Sequence, residues 1–220
     1  MKLQYLGDSK DSFKWDYHDY LVSELSYPLF NVALMMTPDD GGNDGKSHPS
    51  LFPARKEIID FCHDLRESRS IETIKILPVK SGASYGVSFH KSSMYINNRN
   101  RAEYFSGFNN RDHQLVFLDP DNGFEPERSC NEKHVKYKDI ASILDQLSSE
   151  SVISVFQHHR RIFFPNDFAH IKERLGSGYS TAIYWDSLMF VSISKSQRAI
   201  NRVISANNKY GIGNPVEVIA

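Results

Sequence analysis

Three short apolar runs along the chain each end abruptly in polar residues. The runs are residues 31–36, 114–118 and 151–156. A brief run of Val, Leu, Ile and Phe residues that is stopped by turn residues is typical of a buried strand in a parallel sheet. We therefore predict that the three runs are adjacent or near-adjacent strands whose carboxyl ends meet on one edge of the sheet.

Segments with apolar residues at helical spacing alternate with these runs. They predict helices at residues 13–25, 55–67, 137–147, 166–175 and 195–207. Asp11 or Ser12 is the expected amino-terminal cap of the first helix. Residues 73–77 and a segment within residues 81–95 predict two further short strands.

Two β-rich runs between residues 180 and 193 flank the pair Asp186-Ser187, which predicts a hairpin. Strands that alternate with helices indicate a parallel sheet between helical layers. The sequence therefore predicts an α/β fold with a mainly parallel central sheet flanked by helices, and a C-terminal β-hairpin. We expect residues 1–220 to form a single domain.

Composition adds few constraints. The 26 basic residues nearly balance the 27 acidic ones, so net charge alone does not predict strong nucleic-acid binding, although a local basic patch stays open. Cys62 and Cys130 lack metal-ligand spacing, which favours a reducing compartment. Because no apolar run reaches membrane-spanning length and the first residues lack a signal-peptide core, we expect a cytoplasmic protein with no membrane partner.

The most informative loop is DPDNG, residues 119–123, which directly follows the second apolar run. Pro120 cannot donate to a sheet ladder, so the strand ends there. Asp119, Asp121 and Asn122 then lie just past the carboxyl end of a core strand, where open α/β sheets bind ligands. The alternative is that the two carboxylates only cap the loop and a following helix.

The loop after the first apolar run is rich in glycine and aspartate. It could carry an acid, a base or a phosphate-binding lysine, and the candidates are Asp39, Asp40, Asp44 and Lys46. It matches neither a Walker loop nor a dinucleotide fingerprint. An ordinary surface loop has the same composition.

The third apolar run ends in Gln157, a histidine pair and Arg160-Arg161. Adjacent side chains on an extended chain point in opposite directions, so at most one histidine should face a cleft, and we favour His158. The two arginines are the best local phosphate contacts. Asp8, Asp11 and Lys14 lie at the polar entry of the first helix, where charges either cap and solvate the helix or belong to the site. Asp11 and Lys14 are the candidates for substrate binding.

The terminal hairpin after several βα units resembles that of Rossmann-type methyltransferases. The DPDNG loop lies where such enzymes carry a D-P-P-Y type motif, and Asp119-Pro120 matches it, whereas Asp121-Asn122 replaces Pro-Tyr. The loop that begins after Met36 lacks the glycine-rich adenosylmethionine turn. The resemblance therefore implies the fold without the cofactor, and we expect no cofactor and no tight adenosylmethionine binding.

A second resemblance covers most of the chain. The segments GDSKDSFKW, TPDDGGNDGK, LVFLDPDNG and VISVFQHHR together resemble a family of small bacterial proteins found near mobile elements. They are similar to phage-defence DNA glycosylases that remove glucosylated hydroxymethylcytosine. The Asp/Asn loop and the later histidine are also similar to the uracil-DNA glycosylase superfamily. Its His-Pro-Ser triplet is absent after the later strand, and the isolated copy at residues 48–50 is a coincidence.

These resemblances imply excision of a modified base from DNA, without a metal, in antiviral defence. Cleavage of an N-glycosidic bond needs a carboxylate near an oxocarbenium-like sugar and a group that assists the departing base. Asp119 or Asp121, with Asp40, would be the carboxylates, and His158 would assist the base. Asn122 would read a base edge. The expected substrate-binding residues are completed by Asp11, Lys14, Asp39, Asp44, Lys46, Gln157, Arg160 and Arg161.

Three alternatives remain open from the sequence. Clustered carboxylates could hold Mg²⁺ in a nuclease, and they are Asp39, Asp40, Asp44, Asp119 and Asp121. A methyltransferase-like protein acting on nucleic acid is the second alternative. The third is a module that binds nucleic acid or a partner without catalysis.

Overall fold

The structure is a computed structural model that describes residues 1–38, 48–108 and 113–220. Its strands are β1 Leu29–Leu34, β2 Gly86–Phe89, β3 Gln114–Asp119, β4 Val152–His158, β5 Tyr179–Trp185, β6 Leu188–Ser194 and β7 Glu217–Ile219. Its helices are α1 Ser9–Glu24, α2 Lys56–Ser68, α3 Leu77–Ser81, α4 Arg101–Tyr104, α5 Tyr137–Gln146, α6 Phe164–Leu175 and α7 Gln197–Gly213. Short 3-10 turns lie at Leu3–Tyr5, Pro49–Leu51 and Ile71–Ile76.

The strands form one sheet in the order β2-β1-β3-β4-β6-β5-β7. β2, β1, β3 and β4 are parallel, whereas β6 runs antiparallel to both β4 and β5, and β7 runs antiparallel to β5. The predicted α/β fold is therefore confirmed, including the adjacent placement of the three apolar runs. The hairpin at Asp186-Ser187 is confirmed as the β5–β6 turn.

The strand order creates a crevice beside β1. The chain passes from β1 to β2 on one side and then crosses to β3 on the other side. The carboxyl ends of β1 and β3 therefore meet at a topological switch point, which is where open α/β sheets bind ligands. The DPDNG loop leaves the sheet at this point.

Helices cover both faces of the sheet, because alternate strand residues point to opposite sides. Leu115 and Phe117 of β3 pack into a core formed with α1, α2 and α7. Val116 and Leu118 pack into a second core, formed with α5 and α6. β3 is buried along its whole length, which explains why Leu115, Val116, Phe117 and Leu118 are all apolar.

Two sequence predictions about local structure are wrong. Residues 73–77, expected to be a strand, lie in the 3-10 turn Ile71–Ile76 and the start of α3, where Ser70 caps the backbone N–H of Glu72. Helix α1 begins at Ser9, and its cap is Asp8 rather than Asp11 or Ser12. Its extra turn places Asp11 inside the helix, where that carboxylate accepts a hydrogen bond from Gly7 N at 2.7 Å.

None of the described helices has the length and apolar character that crossing a membrane requires.

Candidate active site

A cavity of 370 Å³ lies at the carboxyl ends of β3 and β4. Its walls come from the loop after β3, the end of β4, the segment that precedes α1 and the first turns of α1. The lining residues are Met1, Lys2, Tyr5, Asp8, Lys10, Asp11, Lys14, Asp119, Pro120, Asp121, Asn122, Lys133, Phe156 and His158. Its volume falls in the range of small-molecule sites, about 300–1,000 Å³.

Gly123 lets the DPDNG loop fold tightly against β4. Its φ is +79°, and a Cβ at this position would lie 2.1 Å from Oε1 of Gln157. The same oxygen accepts a hydrogen bond from Phe124 N at 2.8 Å. The loop therefore needs both the left-handed backbone and the missing side chain of glycine.

We expect Gly123→Ala to lower the free energy of unfolding by about 2 kcal/mol or more, because strain at positive φ adds to overpacking against Gln157. Gly82→Ala is the matched control. Gly82 has a φ of +74° but nothing within 4 Å of its Cβ position, so that variant should lose only about 1 kcal/mol. Urea unfolding of both variants measures the difference, and equal losses would contradict the packing argument.

Lys14 holds two carboxylates in the floor of the cavity. Its ammonium lies 2.8 Å from Oδ1 of Asp11 and 2.9 Å from Oδ2 of Asp119. The Lys14 side chain is only 5% exposed. Burial alone would lower the pKa of Lys14, but the two carboxylates outweigh burial and raise it. Lys14 is therefore a buried cation that fixes the end of β3 to α1.

Asp121 is an ionised carboxylate at the cavity wall. Its Oδ1 lies 3.1 Å from the Met1 ammonium, and its Oδ2 accepts a hydrogen bond from Thr37 Oγ1 at 3.0 Å. Burial raises the pKa of Asp121, but the ammonium and the hydroxyl reverse that effect, so the pKa lies below its usual value. Asp121 therefore carries its negative charge throughout the neutral range.

Asp8 has the opposite electrostatic environment in the same cavity. Burial and the neighbouring Asp11 carboxylate raise the pKa of Asp8 to about 6. Its Oδ1 accepts the capping hydrogen bond from Lys10 N at 2.9 Å. A carboxyl group with this pKa can exchange a proton near neutral pH.

His158 ends β4 with its imidazole at the cavity. The ring lies perpendicular to that of Phe156, with 4.4 Å between the ring centres. Burial, followed by the positive charges of Lys10 and Lys14, lowers the pKa of His158 to about 3. The imidazole is therefore neutral at pH 7 and can donate one hydrogen bond and accept another.

The structure brings together six of the residues that the sequence singled out. Asp11, Lys14, Asp119, Asp121, Asn122 and His158 all line the cavity. Four others fall outside the described residues, so the structure does not test their predicted roles in the site. They are Asp39, Asp40, Asp44 and Lys46.

Gln157 and the two arginines do not line the cavity. Gln157 points to the other face of β4, where its Nε2 donates to Asp167 Oδ2 at 3.0 Å. Arg160 Nη2 donates to Gln157 Oε1 at 2.9 Å, which ties this arginine to the same network. Arg161 is exposed in the loop after β4. Their roles in substrate binding stay predictions.

Several lining residues were missed from the sequence. Lys10 would have been a candidate if the start of α1 had been placed one turn earlier, because it then lies in the first helical turn beside Asp8, which the sequence had already indicated at the polar entry of the helix. Lys133 precedes α5 by four residues, and its carbonyl accepts a hydrogen bond from Asn122 N at 3.1 Å. No local pattern signals that long-range contact.

The nuclease hypothesis depends mainly on residues that the structure leaves undescribed. Within residues 1–38, 48–108 and 113–220, no three His, Cys, Asp or Glu side chains are grouped as metal ligands. Of the five aspartates in that hypothesis, Asp119 and Asp121 are described.

Comparison with known proteins finds no matching family model and no matching curated protein. Among solved structures, the chain is similar to human methyltransferase-like protein 13 in complex with SAH, with a TM-score of 0.40, 12% identity, and coverage of 94% of this chain and 93% of that one. It is also similar to an rRNA methylase from Streptococcus thermophilus, with a TM-score of 0.38, 11% identity, and coverage of 82% and 95%. These values describe a distant likeness of fold.

Proposed function

We propose that this protein is an enzyme that takes a nucleobase of DNA into the cavity and hydrolyses its N-glycosidic bond. The observation that carries the proposal is a pair of carboxyl groups on one cavity, Asp8 and Asp121, whose environments shift their pKa values in opposite directions. Such a pair provides one proton donor and one fixed negative charge, which is the division of labour in glycosidic hydrolysis.

In the proposed reaction, the bond between C1′ and the base nitrogen breaks, and its electron pair leaves with the base. Asp8 gives its proton to the departing base, while the Asp121 carboxylate stabilises the positive charge that develops on the sugar. Water then adds to C1′ and releases a proton, which restores Asp8. The products are the free base and an abasic site.

The remaining lining groups have supporting roles in this proposal. Neutral His158 cannot supply a proton as an imidazolium, so we assign proton donation to Asp8 and leave His158 to hydrogen-bond the base or the attacking water. Asn122 is exposed, and its amide offers both a donor and an acceptor to a base edge. Asp119 is a positioning residue, because its ion pair with Lys14 fixes the start of the loop.

The resemblance to phage-defence glycosylases supports a modified, glucosylated cytosine as the target and antiviral defence as the context. The base must leave the duplex stack to enter the cavity, so a modified or poorly stacked base is favoured.

The decisive experiment incubates the purified protein with modified and unmodified DNA in EDTA and analyses the released products by mass spectrometry. We expect free base, and strand breaks only after alkali or heat. Direct breaks that require Mg²⁺, with no free base, would instead support the nuclease. Binding without any product would support the non-catalytic module.

Asp8→Asn should lower the rate of base release by about 10²-fold, because it removes the proton donor.

The same variant should be more stable than the parent at pH 7. The pKa of Asp8 is about 6 in the folded chain against 3.8 for the free group, so stability falls as the pH rises through that interval. Removing the ionisable group should recover about 1–3 kcal/mol.

Unfolding of the parent and Asp8→Asn at pH 4 and pH 7 measures this effect. Asparagine is also a good N-cap, so Asp8→Asn should keep the capping hydrogen bond and remove only the ionisable group. A variant that is slower and less stable at pH 7 would contradict the assignment, since lost structure would then explain the lost activity.

Methyl transfer to a nucleic acid is the second candidate. The observation that favours it is the Asp119-Pro120 pair at the carboxyl end of β3, at the position of the D-P-P-Y type motif in Rossmann-type methyltransferases. We expect no tight adenosylmethionine binding. Calorimetry that detects micromolar binding of adenosylmethionine, or methyl transfer to DNA or RNA, would put this candidate first.

A further inference from the structure

We propose that Lys10 and Lys133 bind a phosphate ester of the ligand whose base occupies the cavity. The inference rests on the proposed function, because it names the group that the same site uses to hold its substrate. From the sequence alone, the expected phosphate contacts are Lys46, Arg160 and Arg161.

The cavity contains lysines besides Lys14, which already pairs with two of its carboxylates. Four lysines and four aspartates line it. Lys14 takes up Asp11 and Asp119, and the Met1 ammonium contacts Asp121. Three of the four carboxylates therefore already have a close cation.

Among the residues that the structure describes, Lys10 forms no close ion pair, and its charge acts on the fourth carboxylate by opposing the rise in the pKa of Asp8. It belongs to the first turn of α1 and is half-buried at the cavity wall. Its charge acts within the cavity: after burial, Lys10 is the largest cause of the lowered pKa of His158. An ammonium in this position is available to an anionic ligand that lies near His158.

Lys133 approaches the cavity from the loop before α5. Its ammonium is 3.9 Å from Oδ2 of Asp121, at the outer limit of an ion pair, and its side chain is 36% exposed. Asp121 already has the closer Met1 ammonium and the Thr37 hydroxyl. Lys133 can therefore turn to a ligand oxygen without leaving a buried carboxylate unpaired.

The two lysines flank groups that suit a base. Asn122 lies beside Lys133 through its backbone N–H, which donates to the Lys133 carbonyl at 3.1 Å. The positive charge of Lys10 acts on the His158 imidazole and lowers its pKa. A ligand with a hydrogen-bonding base and a nearby phosphate ester suits both sets of groups. The base can hydrogen-bond to the neutral side chains of Asn122 and His158, and the phosphate can bind the ammonium groups of Lys10 and Lys133. That ligand is a nucleotide, either free or within a DNA strand.

The arginines are less suited to this role. Arg160 is held by Gln157 at 2.9 Å and lies 3.7 Å from Asp167. Arg161 is exposed outside the cavity lining. A phosphate bound by them would lie at the loop after β4 rather than at the cavity.

Calorimetry with deoxycytidine 5′-monophosphate and deoxycytidine tests the inference without depending on catalysis. We expect the parent to bind the nucleotide at least about tenfold more tightly than the nucleoside, since hydrogen bonds to charged groups contribute about that factor or more. The Lys10→Gln/Lys133→Gln variant should bind both probes with similar affinity. Its thermal unfolding is measured alongside, so that a folding defect is recognised.

Two controls separate this site from other positive charges. Lys75→Gln removes an exposed lysine that is paired with Glu72 away from the cavity, and it should keep the nucleotide preference. Arg160→Gln/Arg161→Gln should keep it as well. If the arginine variant loses the preference while the lysine variant keeps it, the assignment is wrong. Equal affinity of the parent for both probes, or no binding of either, would also overturn it.

A single-stranded oligonucleotide identifies the source of the phosphate. If the ester belongs to DNA, the lysine variant should reduce the slope of log affinity against log salt by about 0.7 for each lost phosphate contact. An unchanged slope with a lost mononucleotide preference would indicate a free nucleotide. Failure of the proposed function is seen separately, as an absence of base release from DNA by a parent protein that still prefers the nucleotide.

Discussion

Asp121→Asn is expected to lower the rate of base release by about two to four orders of magnitude. The change removes the negative charge proposed to stabilise the sugar cation but keeps nearly the same shape. The asparagine oxygen can still accept the hydrogen bond that Thr37 Oγ1 donates to Asp121 Oδ2 at 3.0 Å. Single-turnover measurements of free base against time give the rate, and gel shifts give DNA binding, which should change little.

Asp60→Asn is the matched control, because it makes the same chemical change on the exposed surface of α2. It should release base at the parent rate. Base release by Asp121→Asn within about threefold of the parent would remove Asp121 from the reaction. A variant with normal unfolding behaviour and lost turnover separates catalysis from stability.

The central sheet could be predicted because its strands are buried on both faces. β1, β3 and β4 have neighbours on both sides in the sheet and helices on both faces, so nearly every position demands an apolar side chain. Their amino-acid sequence therefore reveals them without knowledge of the rest of the fold. The edge strand β7, with only three partly exposed or exposed residues, has no such signal and was missed.

Neighbouring turn and helix signals determine the conformation of residues 73–77. Its Ile and Leu residues suit a strand, but Pro78 follows immediately at the start of α3, and Ser70 caps the preceding 3-10 turn. Proline at this position favours the first turn of a helix and cannot donate to a ladder. The competing turn signals outweighed β propensity.

The candidate site could be predicted in part because strand ends and side-chain alternation fix directions. The alternation that selects one histidine of the pair also turns Gln157 away from His158, so these two neighbours cannot both line the cavity. Applied consistently, the same rule would have removed Gln157 from the candidates. The position of Lys133 at the cavity depends on how a distant loop packs, and no spacing in the sequence reveals that packing.

Lys14→Met is expected to lower the free energy of unfolding at pH 7 by about 3–5 kcal/mol, because it leaves buried carboxylates without their cation. Asp11 and Asp119 have side chains that are 1% and 3% exposed, so water cannot replace the lost ammonium. Methionine fills a similar volume, and the main change is therefore electrostatic. Chemical denaturation with a fluorescence readout of the tryptophans measures the loss.

The pH dependence identifies the cause of this loss. Burial already holds the pKa of Asp119 above its usual value, and Lys14 opposes that effect. Without Lys14 the pKa of Asp119 should rise further, so the variant should bind more protons on folding and lose more stability than the parent as the pH rises. The deficit relative to the parent should therefore shrink between pH 7 and pH 4. Adding Asp119→Asn to Lys14→Met should recover part of the stability at pH 7 by removing one unpaired charge.

Lys209→Met is the control for removal of a lysine ion pair at the surface. Its ammonium lies 2.5 Å from Glu24, but the Lys209 side chain is 60% exposed, and such pairs contribute about 0–1 kcal/mol. If Lys14→Met loses no more stability than Lys209→Met, the buried triad of Lys14, Asp11 and Asp119 does not hold β3 to α1. A deficit that stays constant from pH 7 to pH 4 would instead assign the loss to packing, because lost packing does not depend on pH whereas carboxylates left without their cation take up protons in this interval.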